Sequence, residues 1–226
     1  MKKTIVNYRN FSLTNINKPQ YSHLIYLLGW PIYLVLFLLT EMLIPAENCY
    51  RIHCRLDDLI PFCEYFLIPY LIWYFLIIFT LIYYLVYNTE GFKRLQIYFI
   101  TVQIIAIVCF ILLPTRQELR PMVFSRENIL TDGVRLLYSI DTNTGVCPSM
   151  HVAFSIAIVS VWTKDDSAHW NTKLLITITA VVICLSTLFL KQHSVLDLLA
   201  ALPVCLFAEW VAYGGYYKSK YKFSID

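Results

Sequence analysis

The chain has 226 residues, of which 58% are hydrophobic and only 15% are charged. Soluble domains carry about 25% charged residues, so this composition excludes an ordinary soluble domain and indicates a membrane protein. The net charge of +3 is too small to indicate a nucleic-acid partner.

Six apolar stretches predict transmembrane helices. The second, YFLIPYLIWYFLIIFTLIYYLVY, has no charged residue and exceeds the roughly 20 residues that a spanning helix needs. The fourth and fifth are shorter and contain Ser and Thr, which is typical of helices packed inside a bundle. The stretches lie near residues 22–44, 65–87, 95–113, 149–164, 172–190 and 194–216.

The distribution of Lys and Arg predicts the orientation. Eleven of the 18 such residues fall on the face that carries both termini, and the positive-inside rule places that face in the cytoplasm. We therefore predict an all-α, polytopic membrane bundle of six transmembrane helices with both termini cytoplasmic. A six-helix catalytic domain over 21–217 would lie between a polar tail, 1–20, and a basic tail, 218–226.

The seven cysteines form no zinc-binding pattern. Three of them lie within predicted spans, where a small buried hydrophobic role is expected. Four would face outside, and their spacing leaves open whether two of them form a disulfide. These four are Cys49, Cys54, Cys63 and Cys147.

Three polar segments fall on the predicted outer face, although they belong to different helices. They read LPTRQELRP at 113–121, CPSMH at 147–151 and STLFLKQHSVLD at 186–197. Ionisable groups at the membrane boundary are costly unless they pair or serve a site. Their convergence predicts a functional site at this face.

His193 and Asp197 are four residues apart, which places both side chains on one face of a helix. The carboxylate would accept the imidazole N–H and leave the other ring nitrogen free as a nucleophile. The alternative is a structural pair at the start of the helix.

Ser149 follows a proline and can cap the next helix, whose first backbone N–H groups then offer an anion site. His151 would stand beside a bound anion and could donate a proton to a leaving oxygen. Arg116 and Arg120 are spaced by one helical turn, and guanidinium groups match phosphate oxygens. Taken singly, each residue could instead be structural or solvated; together they predict a phosphate-transfer site.

At these residues the chain resembles the type 2 phosphatidic acid phosphatase superfamily. Its motifs are Lys, six residues, Arg-Pro; then Pro-Ser-Gly-His; then Ser-Arg, five residues, His, three residues, Asp. The resemblance implies that His193 is the nucleophile, Asp197 its orienting carboxylate and His151 the general acid. It implies phosphate-binding roles for Arg120 and Ser149.

Three positions depart from the motifs: Leu113 replaces Lys, Met150 replaces Gly and Thr187 replaces Arg. Arg116 and Lys191 are candidates to replace the two missing cations, because they are close in sequence. The third departure looks more like the inositol phosphorylceramide synthase and sphingomyelin synthase branch, in which a lipid alcohol accepts the phosphate group.

The sequence therefore predicts a multi-pass enzyme of the cell membrane, with its active site on the extracytoplasmic face. It would be a lipid phosphate phosphatase that forms a phosphohistidine without metal or cofactor, since fixed cations and helix N–H groups can supply the charge stabilisation. The alternative acceptor is an alcohol, which makes the enzyme a lipid phosphotransferase. The non-enzyme alternatives are a proton-relay transporter and an inactive lipid-binding member.

Overall fold

The computed structural model of the chain describes residues 6–222, except the side chains of residue 13 and of 218–222. The predicted tails, 1–20 and 218–226, therefore lie partly outside the described residues. Eight α-helices make up most of the described chain, and the all-α prediction is confirmed. They are α1 Gly29–Leu43, α2 Arg55–Leu59, α3 Leu67–Tyr87, α4 Thr89–Leu112, α5 Ile129–Ile140, α6 Met150–Lys164, α7 Trp170–Phe189 and α8 Val195–Lys222.

Within residues 6–222, five helical segments are long and apolar enough to cross a membrane. A 3₁₀ turn extends the first of them at its start, and another extends the second. The fourth predicted span, 149–164, corresponds to the shorter apolar helix α6. Six spans and the orientation of the termini therefore stay predictions. The five segments are Ser22–Leu43, Glu64–Tyr87, Thr89–Leu112, Trp170–Phe189 and Val195–Tyr217.

Helix α6 lies at the centre of the bundle, in contact with α3, α4, α7 and α8. Ala153 and Ala157 are fully buried, and their small side chains let neighbouring helices approach closely. At its far end, Lys164 forms an ion pair with Glu209 of α8 at 2.6 Å. Helix α6 therefore faces protein rather than lipid, and this environment accommodates its Ser and Thr residues.

Helix α4 begins six residues earlier than the sequence pattern predicts. The side chain of Asn88 caps it by accepting a hydrogen bond from the backbone N–H of Gly91 at 3.0 Å. Gly91 allows Tyr84 to pack here, because a Cβ atom at this position would lie 2.6 Å from the Tyr84 ring. The turn between α3 and α4 is therefore very short.

The segments 44–66 and 113–149, which join long helices, gather at the end of the bundle where α6 and α8 begin. Strand β1, Tyr50–Arg51, pairs in parallel with β2, Thr115–Arg116. The long loop from Pro114 to Pro148 also holds α5, which packs against α3. This layer forms the outer wall of the site described next.

Candidate active site

The starts of α6 and α8 are joined by a backbone hydrogen bond. The N–H of Ser149 donates to the carbonyl oxygen of Asp197 at 3.1 Å. Ser149 is fully buried and caps α6, with its Oγ accepting from the N–H of Val152 at 3.5 Å. The two helix starts that carry the predicted catalytic residues are thus held side by side.

His193 and Asp197 form the predicted pair. His193 Nδ1 lies 3.2 Å from Asp197 Oδ2, which also accepts the backbone N–H of Ser194 at 2.9 Å. Asp197 is fully buried, and its Oδ1 has no partner among the described residues. The carboxylate therefore orients the imidazole and leaves Nε2 for chemistry.

His151 lies directly opposite that free nitrogen. Its Nδ1 is 3.4 Å from His193 Nε2, and its ring lies between the rings of Tyr70 and Trp73, with centroid distances of 4.6 and 4.1 Å. His151 Nε2 and Trp73 Nε1 are buried and have no hydrogen-bond partner in the described part of the chain. Two donor or acceptor atoms are therefore available to a ligand.

The two histidines line a small cavity of about 180 Å³, and a larger apolar groove of about 710 Å³ adjoins it. Both are lined by Tyr33, Trp73, Tyr74 and Met150. The groove continues between α1 and α3 along apolar side chains such as Leu34. The remaining cavity lining is Phe37, Phe110, Asp141, Thr142, Thr144, Gly145, Val146, His151, Gln192 and His193.

Arg120 does not line the cavity, but it contacts three residues that do. Its Nη2 donates to Gln192 Oε1 at 2.6 Å and to the carbonyl oxygens of Asp141 and Thr142 at 2.9 and 2.8 Å. Its guanidinium also stacks on the Tyr138 ring, 4.5 Å from the centroid. Burial lowers the pKa of Arg120 from its usual value. The predicted phosphate ligand thus holds the loop that carries Asp141.

The structure does not bring Arg116 or Lys191 to the cavity. Arg116 Nη2 pairs with Glu118 at 3.0 Å, and Lys191 Nζ donates to the carbonyl oxygens of Asp57, at 2.7 Å, and of Ile60. Their suggested role as replacement phosphate ligands was drawn from proximity in sequence. Loop contacts direct both side chains elsewhere.

Asp141 is a site residue that sequence reasoning missed. Its Oδ2 accepts hydrogen bonds from Tyr70 Oη at 3.1 Å and from Gln192 Nε2 at 3.2 Å. Burial raises the pKa of Asp141, although the Tyr70 hydrogen bond acts against this. Asp141 follows α5 in a long loop, and no local pattern in the sequence marks it.

Asp57 of α2 is a second buried acid, and it lies outside the three polar segments that the sequence marks. It accepts hydrogen bonds from Ser194 Oγ at 2.6 Å and from the Val195 N–H at 2.8 Å. Burial raises the pKa of Asp57, but these hydrogen bonds outweigh it, and the net shift is downward. Asp57 therefore anchors the start of α8.

The four cysteines expected outside are all free thiols: Cys49, Cys54, Cys63 and Cys147. Burial raises the pKa of Cys147 to about 12, and the negative charge of Asp197 adds to the shift.

Within residues 6–222, no group of three or more His, Cys, Asp or Glu side chains is placed to hold a metal ion.

Comparison with known proteins adds one finding. A segment of 73 residues, 32% of this chain, is 40% identical to a PA-phosphatase related-family protein of Dictyostelium discoideum. The chain is similar to a PA-phosphatase related protein. The match covers 12% of that much longer protein, and it supports a phosphatase-like membrane enzyme without deciding the branch. No protein-family model and no solved structure matches the chain.

Proposed function

We propose that this chain is a membrane phosphatase that cleaves a lipid–phosphate ester through a phosphohistidine at His193. The observation that carries the proposal is the continuity of the histidine-lined cavity with the apolar groove of about 710 Å³. A lipid can lay its chains in the groove while its phosphate group reaches His193. The asymmetry of Lys and Arg supports an extracytoplasmic position of the site.

The first half-reaction forms the phosphoenzyme. The lone pair of His193 Nε2 attacks phosphorus, the N–P bond forms and the ester P–O bond breaks. His151 donates a proton to the leaving lipid oxygen, while Asp197 stabilises the positive charge on the His193 ring. Backbone N–H groups at the start of α6 and the nearby Arg120 favour the negative charge on the phosphate oxygens.

The second half-reaction uses water. His151, now neutral, removes a proton from the water molecule as its oxygen attacks phosphorus and the N–P bond breaks. Phosphate leaves, and both histidines return to their starting protonation states. The proposed sequence needs no metal step, because the two histidines handle every proton.

Substrate binding must move the two rings apart. His193 Nε2 and His151 Nδ1 lie 3.4 Å from each other, which leaves no room for a phosphorus atom between them. Catalytic hydrogen bonds often rearrange when the substrate binds. Arg120 likewise must exchange Gln192 for a phosphate oxygen to contact the substrate directly.

Trapping the intermediate tests this proposal. The purified protein in nanodiscs is mixed with ³²P-labelled lipid phosphate esters, with and without a chelator, and quenched in alkali. We expect chelator-resistant turnover and a labelled, acid-labile protein adduct, both abolished by His193→Ala. His169→Ala is the matched control, because His169 is exposed at the start of α7. Equal turnover by the His193 variant would reject the mechanism.

A further inference from the structure

Helix α5 has three faces instead of the usual two. One face is buried against the bundle and includes Thr131 and Val134. The rest of its surface carries two stripes with the same residue spacing of four, three and four, so each stripe runs along one side of the helix. The apolar stripe is Ile129, Gly133, Leu136 and Ile140, and the polar stripe is Asn128, Asp132, Arg135 and Ser139.

The large side chains of the apolar stripe are exposed. Ile129 is 85% exposed, Leu136 61% and Ile140 73%. Single exposed apolar residues are normal on a protein surface, but a contiguous apolar patch marks an interaction site. The apolar stripe of α5 therefore needs an apolar environment outside the described chain.

The charges beside the apolar stripe lie on the polar side of α5. Arg135 forms ion pairs with Asp132 at 2.7 Å and with Glu127 at 2.6 Å, and all three side chains are well exposed. Exposed ion pairs of this kind are suited to water and to lipid headgroups rather than to hydrocarbon. Two different environments thus meet along the length of α5.

The contacts of α5 place it across the first turns of α3. At its start, Asn128 Nδ2 donates to Glu64 Oε1 at 3.2 Å, and directly after its end Tyr70 Oη donates to Asp141 Oδ2 at 3.1 Å. Residues 64 and 70 are separated by roughly 10 Å of helical rise, whereas α5 is about 18 Å long. Helix α5 therefore crosses α3 steeply, at the end of a segment that is long and apolar enough to span a membrane.

The apolar stripe borders the exposed surface of α3. Gly133, within the stripe, lies against α3, because an added Cβ would be 2.6 Å from Leu67 Cδ2. The absence of a side chain lets the two helices approach closely here. Beside Leu67, α3 exposes Ile68 and Leu71. The apolar surface of the spanning segment thus extends onto α5.

We propose that α5 is an interfacial helix whose apolar stripe contacts lipid acyl chains in the leaflet on the active-site side. The polar stripe then faces headgroups and water. Amphipathic helices of this kind lie in the membrane plane with their apolar side buried by about 5–10 Å. A second copy of the chain could also cover an apolar stripe, but the adjoining surface of α3 and the ion pairs on the other side fit a membrane boundary. The inference does not depend on the proposed function.

The position of α5 matters for the cavity because the chain enters the cavity wall directly after the helix ends. Asp141 and Thr142 follow Ile140 and line the cavity. Arg120 donates hydrogen bonds to the carbonyl oxygens of both residues, at 2.9 and 2.8 Å. Lipid contact at the end of α5 therefore holds this wall of the cavity near the depth of the lipid headgroups.

Photo-crosslinking to lipid tests the proposal. The photoreactive residue p-benzoylphenylalanine replaces Leu136, Ile140 or Ser139, one at a time, and each protein is irradiated in phosphatidylcholine nanodiscs. We expect a mass increase of one phosphatidylcholine at positions 136 and 140, in a yield at least about fivefold above that at position 139, because only the apolar stripe faces acyl chains. Ser139 is the matched control, since it is the exposed neighbour of Ile140 on the polar stripe.

Two outcomes of the crosslinking would overturn the proposal. Equal lipid yields at the three positions, or no lipid adduct at 136 and 140, would place the apolar stripe outside the hydrocarbon. A crosslinked dimer in place of the lipid adduct would assign the stripe to an interface between copies of this chain. The turnover assay of His193→Ala is independent of either result.

A second measurement avoids the bulky photoreactive residue. Ile140→Asn and Ser139→Asn place the same polar side chain on the two stripes, and Tm is measured in nanodiscs. We expect Ile140→Asn to lower Tm by at least about 3 °C, because its amide enters an apolar environment, and Ser139→Asn to shift Tm by less than about 1 °C. Equal Tm values for the two variants would show that both positions face water, and would overturn the proposal.

Discussion

Ser194 donates a hydrogen bond from its hydroxyl to Asp57 Oδ2 at 2.6 Å, across 137 positions of sequence. The same carboxylate accepts the N–H of Val195, the first residue of α8, so a short helix of the outer layer caps a long one. Ser194 and Val195 lie between His193 and Asp197 in the sequence. The geometry of the catalytic pair therefore depends on a distant loop.

Asp57→Asn is expected to loosen the start of α8. Hydrogen bonds to a charged acceptor contribute about 1.5–3 kcal/mol each, so the free energy of unfolding should fall by roughly that amount. We expect a lower Tm in detergent and a lower kcat, because the His193–Asp197 pair loses its support. Asp58→Asn is the control, since Asp58 is exposed and forms an ion pair with His53 at 2.8 Å. Equal Tm values for the two variants would contradict the capping role.

Cys147 is expected to resist alkylation. Its pKa of about 12 leaves very little thiolate at pH 8.5, whereas an unfolded thiol with a pKa near 8.5 is about half ionised. The rate with iodoacetamide should therefore rise about 1,000-fold when the protein is unfolded in SDS. Peptide mapping by mass spectrometry measures this rate. Similar rates in the folded and unfolded chain would contradict the burial of Cys147 beside Asp197.

Gly145→Ala is expected to destabilise the cavity wall. Gly145 has a φ of +59°, and an added Cβ would lie 3.3 Å from Phe37 and 3.4 Å from Glu41. The left-handed conformation costs an L-residue about 1–2 kcal/mol, so Tm and turnover should both fall. Gly215→Ala is the control, because a Cβ there meets nothing within 4 Å and alanine favours the helix. A Gly145 variant as stable as the Gly215 variant would refute the strain argument.

Asp141→Asn is expected to raise stability near neutral pH. Burial raises the pKa of Asp141 in the folded state, so the folded protein holds this proton more tightly than the unfolded chain. The parent's free energy of unfolding should therefore fall as pH rises from about 3.9, the unfolded value, through the higher folded pKa. We expect the variant's Tm to exceed that of the parent by about 2–4 °C at pH 7.5, and by less at pH 4.

His193, Arg120 and Glu41 also act on this titration, and their charges are common to both proteins. Subtracting the two stability–pH curves isolates the contribution of Asp141. A difference that grows toward acid pH would show that the folded pKa is lowered instead. The gain in stability would accompany a loss of function, as is common for charges kept in an active site.

Local patterns predicted the long elements well. The helix around the second apolar stretch was predicted at 65–87 and the structure places α3 at Leu67–Tyr87, because apolar run length limits a membrane helix. The His193–Asp197 pair was also predicted from its spacing alone. Helix α4 begins before the predicted start at residue 95, because Asn88 caps it and a hydropathy pattern does not detect a helix cap.

Contacts between distant segments were predicted less well. Arg116 and Lys191 are close in sequence to the motifs, yet ion pairing and backbone carbonyls hold them elsewhere. Asp57 lies outside the polar segments that the sequence marks, yet it is buried against the start of α8. Loop paths depend on many weak contacts that have no periodic signature in sequence.

The sequence by itself determined that this chain forms a helical membrane bundle and that two histidines and a carboxylate stand at helix starts. Hydropathy and helical spacing are local properties, and they act on each segment alone. Only the tertiary structure decided that His151 faces His193, that Asp141 enters the cavity and that Arg120 stays behind it. Those relationships arise where α5, α6 and α8 converge, because packing brings together groups that no short stretch of chain connects.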